Sequence, residues 1–422
     1  MSLKKATGLG LVQSGASMAI SFLSVKITSV FLGPAGIGLL GQLQNFIAIS
    51  QGVLVSGLAT SVVRRTAESR DEPAARARVL STTMRLVVMV GLPVALLVAL
   101  ASGWLARELL HDAEMRGPVL LFALVSVLGM LGLLVTAAAN GARDYHSMTY
   151  SQIGAGAVSL VVFALLCPTW GVLGGLIAGA IFPATNALVA WLCARGRDWW
   201  PARPMSHGFS KEEARAAMTF VPMAAIRSLS TPLVQIVLRD TLARQSGMAA
   251  VGLLHGVIRL SDIYITIATS VFGMYFLPRF AEVKRVAEIK RELKKGVLTV
   301  LTAVTLLSVV IYLARDLIVH AVFTPQFYAM RDLFGWQMAG NVLKVSSWFL
   351  SHLMVAKTNP LALVGFEVFI GLLWWASGVA LVERNGAIGA AQAYAFTHAV
   401  YLVIAMIVIA LLLRRMAREE QA

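Results

Sequence analysis

The stretch WLARELLHD, residues 104–112, recurs 208 positions later as YLARDLIVH, residues 312–320. Three more pairs recur in the same order, at separations of 214 or 215 positions. They are AGIGLL at 35–40 with AAVGLL at 249–254, RTAE at 65–68 with RFAE at 279–282, and WGVLG at 170–174 with NGAIG at 385–389. Chance is a poor explanation for four pairs of similar segments that occur in the same order. The sequence therefore predicts a tandem duplication.

The composition predicts that each copy is a bundle of membrane helices. Of the 422 residues, 58% are hydrophobic and 14% are charged, whereas a soluble protein carries roughly 25% charged residues. A helix of about 20 apolar residues crosses the hydrocarbon layer with its backbone polar groups satisfied internally. We predict twelve spans, at residues 8–32, 36–62, 80–102, 117–139, 148–167, 171–193, 215–238, 251–277, 296–314, 332–356, 361–382 and 388–413.

The similar segments occupy equivalent positions in the first six and the last six predicted spans. This predicts an all-α integral membrane protein with an N-terminal lobe at residues 1–194, a cytoplasmic linker at 195–214 and a C-terminal lobe at 215–422. Because six is an even number, both lobes insert with the same orientation. We therefore expect a pseudo-two-fold axis along the membrane normal, as in transporters with parallel repeats.

The basic residues predict how the chain lies in the membrane. The net charge is +15, and most Lys and Arg residues of the predicted loops lie on the side that holds the N-terminus. The positive-inside rule therefore places both termini in the cytoplasm, with membrane lipids as partners of the basic loops. Since the sequence contains no nucleic-acid-binding motif, we expect no nucleic acid partner.

Basic residues inside the predicted spans indicate the chemistry of a bound molecule. Each such charge costs roughly 2.5–3.5 kcal/mol on insertion scales, so we expect these side chains to face a protein interior or water. The deepest are Lys26, Arg227, Arg259 and Lys344. Asp262 shares a helix face with Arg259 and could pair with it, while Glu367 lies alone on the eleventh span. Bases still outnumber acids, which favours an anionic cargo.

Polar residues complete the candidate site. Gln42 and Asn45 share a face of the second span, where they either hold a sugar-rich headgroup or join neighbouring helices by hydrogen bonds. His398 lies inside the last span and either titrates near neutral pH or packs as a hydrogen-bonded group. With Asp262 and Glu367 it is a candidate for coupling transport to a proton or sodium gradient. No cofactor motif, metal site or enzyme signature is evident in the sequence, which favours a transporter over an enzyme.

The stretch MRDLFGWQMAGNVLK, residues 330–344, closely resembles a segment of the Wzx-type flippases for lipid III and O-antigen units. These belong to the polysaccharide transporter family of the MOP superfamily. GPAG at 33–36 and GAIGAAQAY at 386–394 are similar too, and the likeness runs through all twelve spans. The resemblance implies two six-helix lobes, a cationic central cavity and alternating access in a bacterial inner membrane.

The resemblance also implies the cargo. It would be an undecaprenyl-pyrophosphate-linked oligosaccharide, moved from the cytoplasmic to the periplasmic leaflet for enterobacterial common antigen or lipopolysaccharide biosynthesis. A polysaccharide polymerase and a chain-length regulator are further candidate partners. The candidate contacts to pyrophosphate and sugar are Lys26, Arg227, Arg259, Lys344, Gln42 and Asn45.

Two alternatives stay open at this point. A multidrug or organic-cation exporter of the same superfamily would have an acidic, aromatic cavity, which the excess of deep bases disfavours. A non-transporting scaffold of a polysaccharide-assembly complex would use the duplicated bundle without moving a cargo.

Overall fold

A computed structural model describes residues 3–69, 71–201, 203–283, 285–357 and 360–421. Within these ranges the chain is almost entirely helical and contains no β-strand. The helices are, in chain order, α1 (Leu3–Glu68), α2 (Pro73–Leu100), α3 (Ser102–Leu109), α4 (Arg116–Gly141), α5 (Tyr145–Ala194), α6 (Lys211–Met218), α7 (Val221–Val271), α8 (Leu277–Glu282), α9 (Val286–Gly296), α10 (Thr302–Leu313), α11 (Arg315–Val322), α12 (Phe334–Lys357) and α13 (Pro360–Gln421).

The predicted membrane spans lie in these helices. Among the described residues, seven helices are long and apolar enough to cross a membrane, and α12 covers the predicted tenth span. Leu96, Leu97 and Leu100 of α2 are 60%, 65% and 74% exposed. An apolar surface of this kind is suited to lipid rather than to water. The predicted all-α integral membrane fold is confirmed.

Four long helices each contain two predicted spans, divided at a glycine. The backbone leaves the helical region at Gly33 (φ 63°, ψ −176°) and Gly247 (φ 79°, ψ 166°). It does so again at Gly171 (φ 55°, ψ −129°) and Gly386 (φ 58°, ψ −135°). A positive φ strains residues other than glycine. Gly33 and Gly247 have similar φ and ψ angles, and so do Gly171 and Gly386. Because the members of each pair are 214 or 215 positions apart, like the repeated segments, the duplication is also visible in the backbone conformation.

The first compact unit comprises Met1–Leu32 and Leu39–Ile236. Its core joins residues of α1, α2, α4 and α5, among them Leu58, Leu80 and Leu134, which are fully buried. Trp199 and Trp200 belong to the same core, although they follow the last helix of the predicted N-terminal lobe.

Hydrogen bonds hold the chain after α5 against the first unit. Arg76 donates to the Asp198 carbonyl at 2.9 Å, and Arg85 donates to the Met205 carbonyl at 2.9 Å. Ser81 donates to the His207 carbonyl at 2.5 Å. We call residues 195–201 and 203–218 the docked segment, because its backbone and both tryptophans pack on preceding helices of the first unit. The domain bounds proposed from the sequence stay a prediction.

The second compact unit comprises Gly33–Gly38 and Val237–Ala422. Phe349 of α12 lies at its core, with its ring centre 5.3 Å from Phe272, 5.0 Å from Phe276 and 5.8 Å from Phe280. Gly296 packs directly on the Phe349 ring. These contacts fix the turn after α7, helix α8 and the end of α9 against α12.

A reciprocal glycine contact lies inside this second unit. A Cβ on Gly38 would stand 2.6 Å from the Met248 carbonyl oxygen, and a Cβ on Gly252 would meet the Pro34 carbonyl oxygen. Pro34 and Gly38 lie 214 positions before Met248 and Gly252. Equivalent positions of the two copies therefore touch each other symmetrically. The axis relating whole lobes stays a prediction.

Each half also contains the same arginine clamp, by which we mean Arg65 or Arg279 with its carboxylate partners. Arg65 contacts Glu68 at 3.7 Å, and its Nε lies 3.0 Å from Oε2 of Glu213 on α6. Arg279 contacts Glu282 at 3.5 Å and Glu292 on α9 at 3.3 Å. In each unit the clamp ties a span's end to the short helix that precedes another span.

Candidate functional site

Helix α7 carries a row of basic and acidic side chains within the second unit. Arg239 is only 2% exposed, and its Nη2 lies 3.0 Å from Nδ1 of His255. Because a guanidinium only donates hydrogen bonds, Nδ1 of His255 accepts and the ring proton is assigned to Nε2. Arg259 follows His255 by one helical turn, and Asp262 follows Arg259 by three residues, so these side chains occupy neighbouring positions.

Lys344 of α12 joins this row from another helix. Its Nζ lies 4.6 Å from the ring centre of Trp348 and 5.6 Å from that of Tyr394. Aromatic faces attract an ammonium group without neutralising it. Asp262 interacts electrostatically with Lys344, Arg259 and Arg239. With three cations and one carboxylate, these four side chains carry a net positive charge.

A buried amide holds the surroundings of Lys344 in place. Asn341 is 0% exposed and donates through Nδ2 to Ser261 Oγ at 2.9 Å and to the Tyr264 hydroxyl at 2.7 Å. Its Oδ1 accepts from the Tyr394 hydroxyl at 3.0 Å and from Gln337 at 3.1 Å. Since every polar atom of this amide is used, the Tyr394 ring is held beside the Lys344 ammonium.

Helix α13 brings the two remaining candidates of the second unit together. The His398 ring is buried, 4.8 Å from the Tyr394 ring and 6.3 Å from the Tyr401 ring. The Tyr401 hydroxyl donates to Oε1 of Glu367 at 3.0 Å. His398 also interacts electrostatically with Lys344. Lys344, His398 and Glu367 are therefore linked through the rings of Tyr394 and Tyr401, and Asp262 interacts electrostatically with Lys344 and Arg259.

The other candidates lie on helices of the first unit. Lys26 is exposed on the first limb of α1. On the second limb Gln42 is completely buried, and Asn45 is half-buried. Both amide atoms of Gln42 and Nδ2 of Asn45 are buried without a hydrogen-bond partner among the described residues. The side chain of Arg227 lies outside what the structure describes.

Several residues of this cluster were not expected from the sequence. Arg239 was predicted to lie in a loop beyond the seventh span, but it lies inside α7 and is buried. His255, Asn341 and Tyr394 also went unassigned. A signal was present for Asn341, because it precedes Lys344 by three positions on one helix. Arg239 gave no such signal, since a basic residue at the end of a span is ordinary.

The arrangement is suited to holding an anion. Its cations come from two helices, and packing rather than carboxylate pairing positions Lys344. Preorganised donors of this kind hold phosphate or carboxylate groups by charge-assisted hydrogen bonds. In the described part of the chain, no group of three or more His, Cys, Asp or Glu residues is placed to hold a metal ion.

Comparisons with known proteins place the chain among membrane proteins of polysaccharide synthesis. Residues 2–284 match the family model described as "Polysaccharide biosynthesis protein". The chain is 30% identical over 405 residues to a protein named Lipid III flippase from Escherichia coli (strain K12), covering 95% of this chain and 96% of the relative. A Lipid III flippase from Shigella flexneri matches to the same extent.

Two solved structures with a similar fold are transporters of the MOP superfamily. An inward-facing multidrug resistance MATE family transporter gives a TM-score of 0.76 at 12% identity, covering 95% of this chain and 96% of that one. A MOP superfamily transporter from Pyrococcus furiosus, described as having a binding pocket of reverse polarity, gives 0.65 at 14% identity, with 98% and 96% covered. At these identities the likeness shows the fold alone.

Proposed function

The chain belongs to the polysaccharide biosynthesis protein family, and on that premise we propose that it is a flippase for an undecaprenyl-pyrophosphate-linked oligosaccharide. It would act in a bacterial inner membrane and move its cargo from the cytoplasmic to the periplasmic leaflet. The identity to proteins named Lipid III flippase supports this cargo class. The MOP superfamily fold supports a transporter rather than an enzyme.

The cationic cluster around Lys344 is the observation that carries the proposal. A diphosphate brings at least two negative charges, and moving such charges bare through hydrocarbon is opposed by a large loss of hydration energy. Arg259 and Lys344 replace part of that hydration, while Asp262 limits their excess charge and so keeps binding reversible. An organic-cation exporter would instead need excess negative charge here.

Coupling to an ion gradient is a further part of this proposal. Asp262, Glu367 and His398 are the residues that we assign to it, with a proton or sodium as the coupling ion. Asp262 is exposed and interacts with the same cations that would hold the cargo. The Asp262 carboxylate and a phosphate of the cargo would compete for Arg259 and Lys344. Cargo binding would therefore depend on whether Asp262 is charged.

Charge reversal tests the proposed site. We expect Arg259→Glu and Lys344→Glu to reduce translocation of an undecaprenyl-diphosphate-linked oligosaccharide in proteoliposomes at least tenfold, because a carboxylate would repel the diphosphate. Arg384→Glu is the matched control, since Arg384 is an exposed base outside the cluster. Thermal unfolding in detergent establishes that each variant is folded. Unchanged transport by folded Arg259→Glu and Lys344→Glu proteins would refute the cationic site.

A further inference from the structure

Helix α9 is held firmly against three other helices of the second unit. Glu292 at its centre accepts from Arg279 at 3.3 Å and from the Tyr275 hydroxyl at 3.5 Å. Glu420 near the end of α13 accepts from the Val286 backbone N–H at 2.7 Å. At its other end Gly296, the last residue of α9, packs directly on the Phe349 ring of α12. The helix is thus fixed in position before it meets any ligand.

Folding separates the charges of α9 onto two faces. The sequence VAEIKRELKKG mixes two glutamates with four bases. Val286, Ile289 and Glu292 are buried, and Glu292 is only 5% exposed. At 3.6 residues per turn the opposite face carries the exposed bases. They are Lys290, Arg291, Lys294 and Lys295. With Glu292 turned inward to Arg279 and Glu288 half-buried, the outward face carries more bases than acids and is basic.

Apolar side chains adjoin this basic face. Val297 and Leu298, directly after α9, are 45% and 62% exposed at the start of a run of apolar residues that continues through α10. Lys295 donates to the Tyr275 hydroxyl and lies 4.4 Å from its ring centre. Aromatic and basic residues together at the end of a span mark the boundary between hydrocarbon and headgroups. A ligand of this surface therefore has both an anionic head and an acyl chain.

We propose that the basic face of α9 is a specific binding site for anionic phospholipid headgroups, such as those of phosphatidylglycerol. Each base near a membrane surface adds attraction for anionic lipid. The three tethers add preorganisation, because little backbone freedom is lost on binding. The proposal does not depend on which cargo the protein moves, since α9 lies apart from the Lys344 cluster in sequence and uses different side chains.

Lipid retention tests the proposal directly. The full-length protein is purified in detergent, incubated with phosphatidylglycerol or phosphatidylcholine, and bound lipid is counted by native mass spectrometry. We expect phosphatidylglycerol to be retained over phosphatidylcholine. The triple variant Lys290→Gln, Arg291→Gln, Lys294→Gln should lose affinity for phosphatidylglycerol at least tenfold. Raising sodium chloride from 0.05 to 0.5 M should weaken binding by the wild-type protein, because salt screens exposed charges.

A variant with the same loss of charge is the control. Arg78, Lys211 and Arg215 are exposed in the first unit, and changing all three to glutamine should alter retention less than threefold. Equal losses in both variants would mean that net charge alone decides binding and would overturn the proposal. Retention unchanged in the α9 variant would overturn it as well. Displacement of the lipid by inorganic pyrophosphate at equal concentration would show that the acyl chain contributes nothing, which also contradicts it.

Discussion

At the scale of single residues, Asp144 shows how one carboxylate joins two segments. It precedes α5, accepts from the Ser147 N–H at 3.0 Å and hydroxyl at 2.6 Å, and accepts from Trp199 Nε1 at 2.8 Å. Arg197 lies 3.5 Å away. Burial alone would raise the pKa of the Asp144 carboxyl, but these hydrogen bonds and the Arg197 charge hold the pKa below its ordinary value.

The stability of the first unit should depend on Asp144 in acid. Its pKa is lower in the folded than in the unfolded protein, so its contribution is complete above the ordinary value of 3.8 and is lost as the pH falls through the lowered value. We expect Asp144→Asn to lower stability at pH 7 by about 1 kcal/mol, because the hydrogen bonds from Ser147 and Trp199 lose their charge assistance and the attraction of Arg197 is lost. The variant should also flatten the acid limb of a plot of melting temperature against pH. An acid limb identical to that of the wild-type protein would contradict this assignment.

Spacing along one helix is informative about residues that lie close together in sequence. Arg259 and Asp262 are three positions apart and interact electrostatically, while their predicted pairing stays a prediction. By contrast, Arg239 and His255 lie sixteen positions apart, on opposite sides of the Gly247 bend. Their contact depends on the direction that the chain takes after that bend. Spacing carries no information about it.

At the scale of helices, the two arginine clamps differ in the element that they reach. Arg65 forms a bidentate contact with Glu213 of α6, in which Nη2 donates a second hydrogen bond to Oε1 at 3.1 Å. Arg279 reaches Glu292 of α9. The short helices α6 and α9 have unrelated sequences, so the duplication preserved the arginine and its ion pair while the partner helix changed.

A double-mutant cycle measures the first clamp. We expect Arg65→Ala and Glu213→Ala to be coupled by about 0.5–1 kcal/mol in thermal unfolding, because both side chains are mostly buried and the contact is bidentate. The pair Arg415 and Glu419 is the control, since it has the same residue types but lies on the exposed surface and outside the clamp. Its coupling should be smaller. A larger coupling for the exposed pair would show that the clamp does not hold α6.

The helices themselves were largely predictable, whereas their contacts were not. The apolar blocks follow directly from composition, and the bends at Gly33, Gly171 and Gly386 lie in or next to the gaps between predicted spans. The docked segment was expected to be a linker, because it is polar and rich in arginine. Its two tryptophans find a pocket only because α1, α2, α4 and α5 are already packed, and that packing is a tertiary property.

At the scale of the whole molecule, the duplication is recorded in backbone contacts as well as in sequence. Gly38 and Gly252 occupy equivalent positions, and each abuts the backbone next to the other's bend. Only glycine permits so close an approach. The similarity of AGIGLL to AAVGLL identifies a repeat. The sequence does not reveal that the two copies of this segment contact each other.

A single methyl group tests the importance of this contact. Gly38→Ala would place a Cβ 2.6 Å from the Met248 carbonyl oxygen and 3.0 Å from the Gly252 nitrogen, so we expect a loss of about 1–3 kcal/mol from overpacking. Gly365→Ala is the control, because a Cβ there meets nothing within 4 Å and should stabilise its helix by up to about 1 kcal/mol. The melting temperatures in detergent should therefore shift in opposite directions. A rise for Gly38→Ala would refute the proposed close packing.

The docked segment also bears on how the chain matures during synthesis. Trp199, Trp200 and Ala217 complete a core whose other members precede Ala194 or include it. When a ribosome has released the sixth span and nothing more, that core still lacks three of its members. Maturation of the first unit must therefore wait until roughly the start of α7 has emerged. Nascent chains arrested before Trp199 should accordingly be more easily degraded than those arrested after Val221.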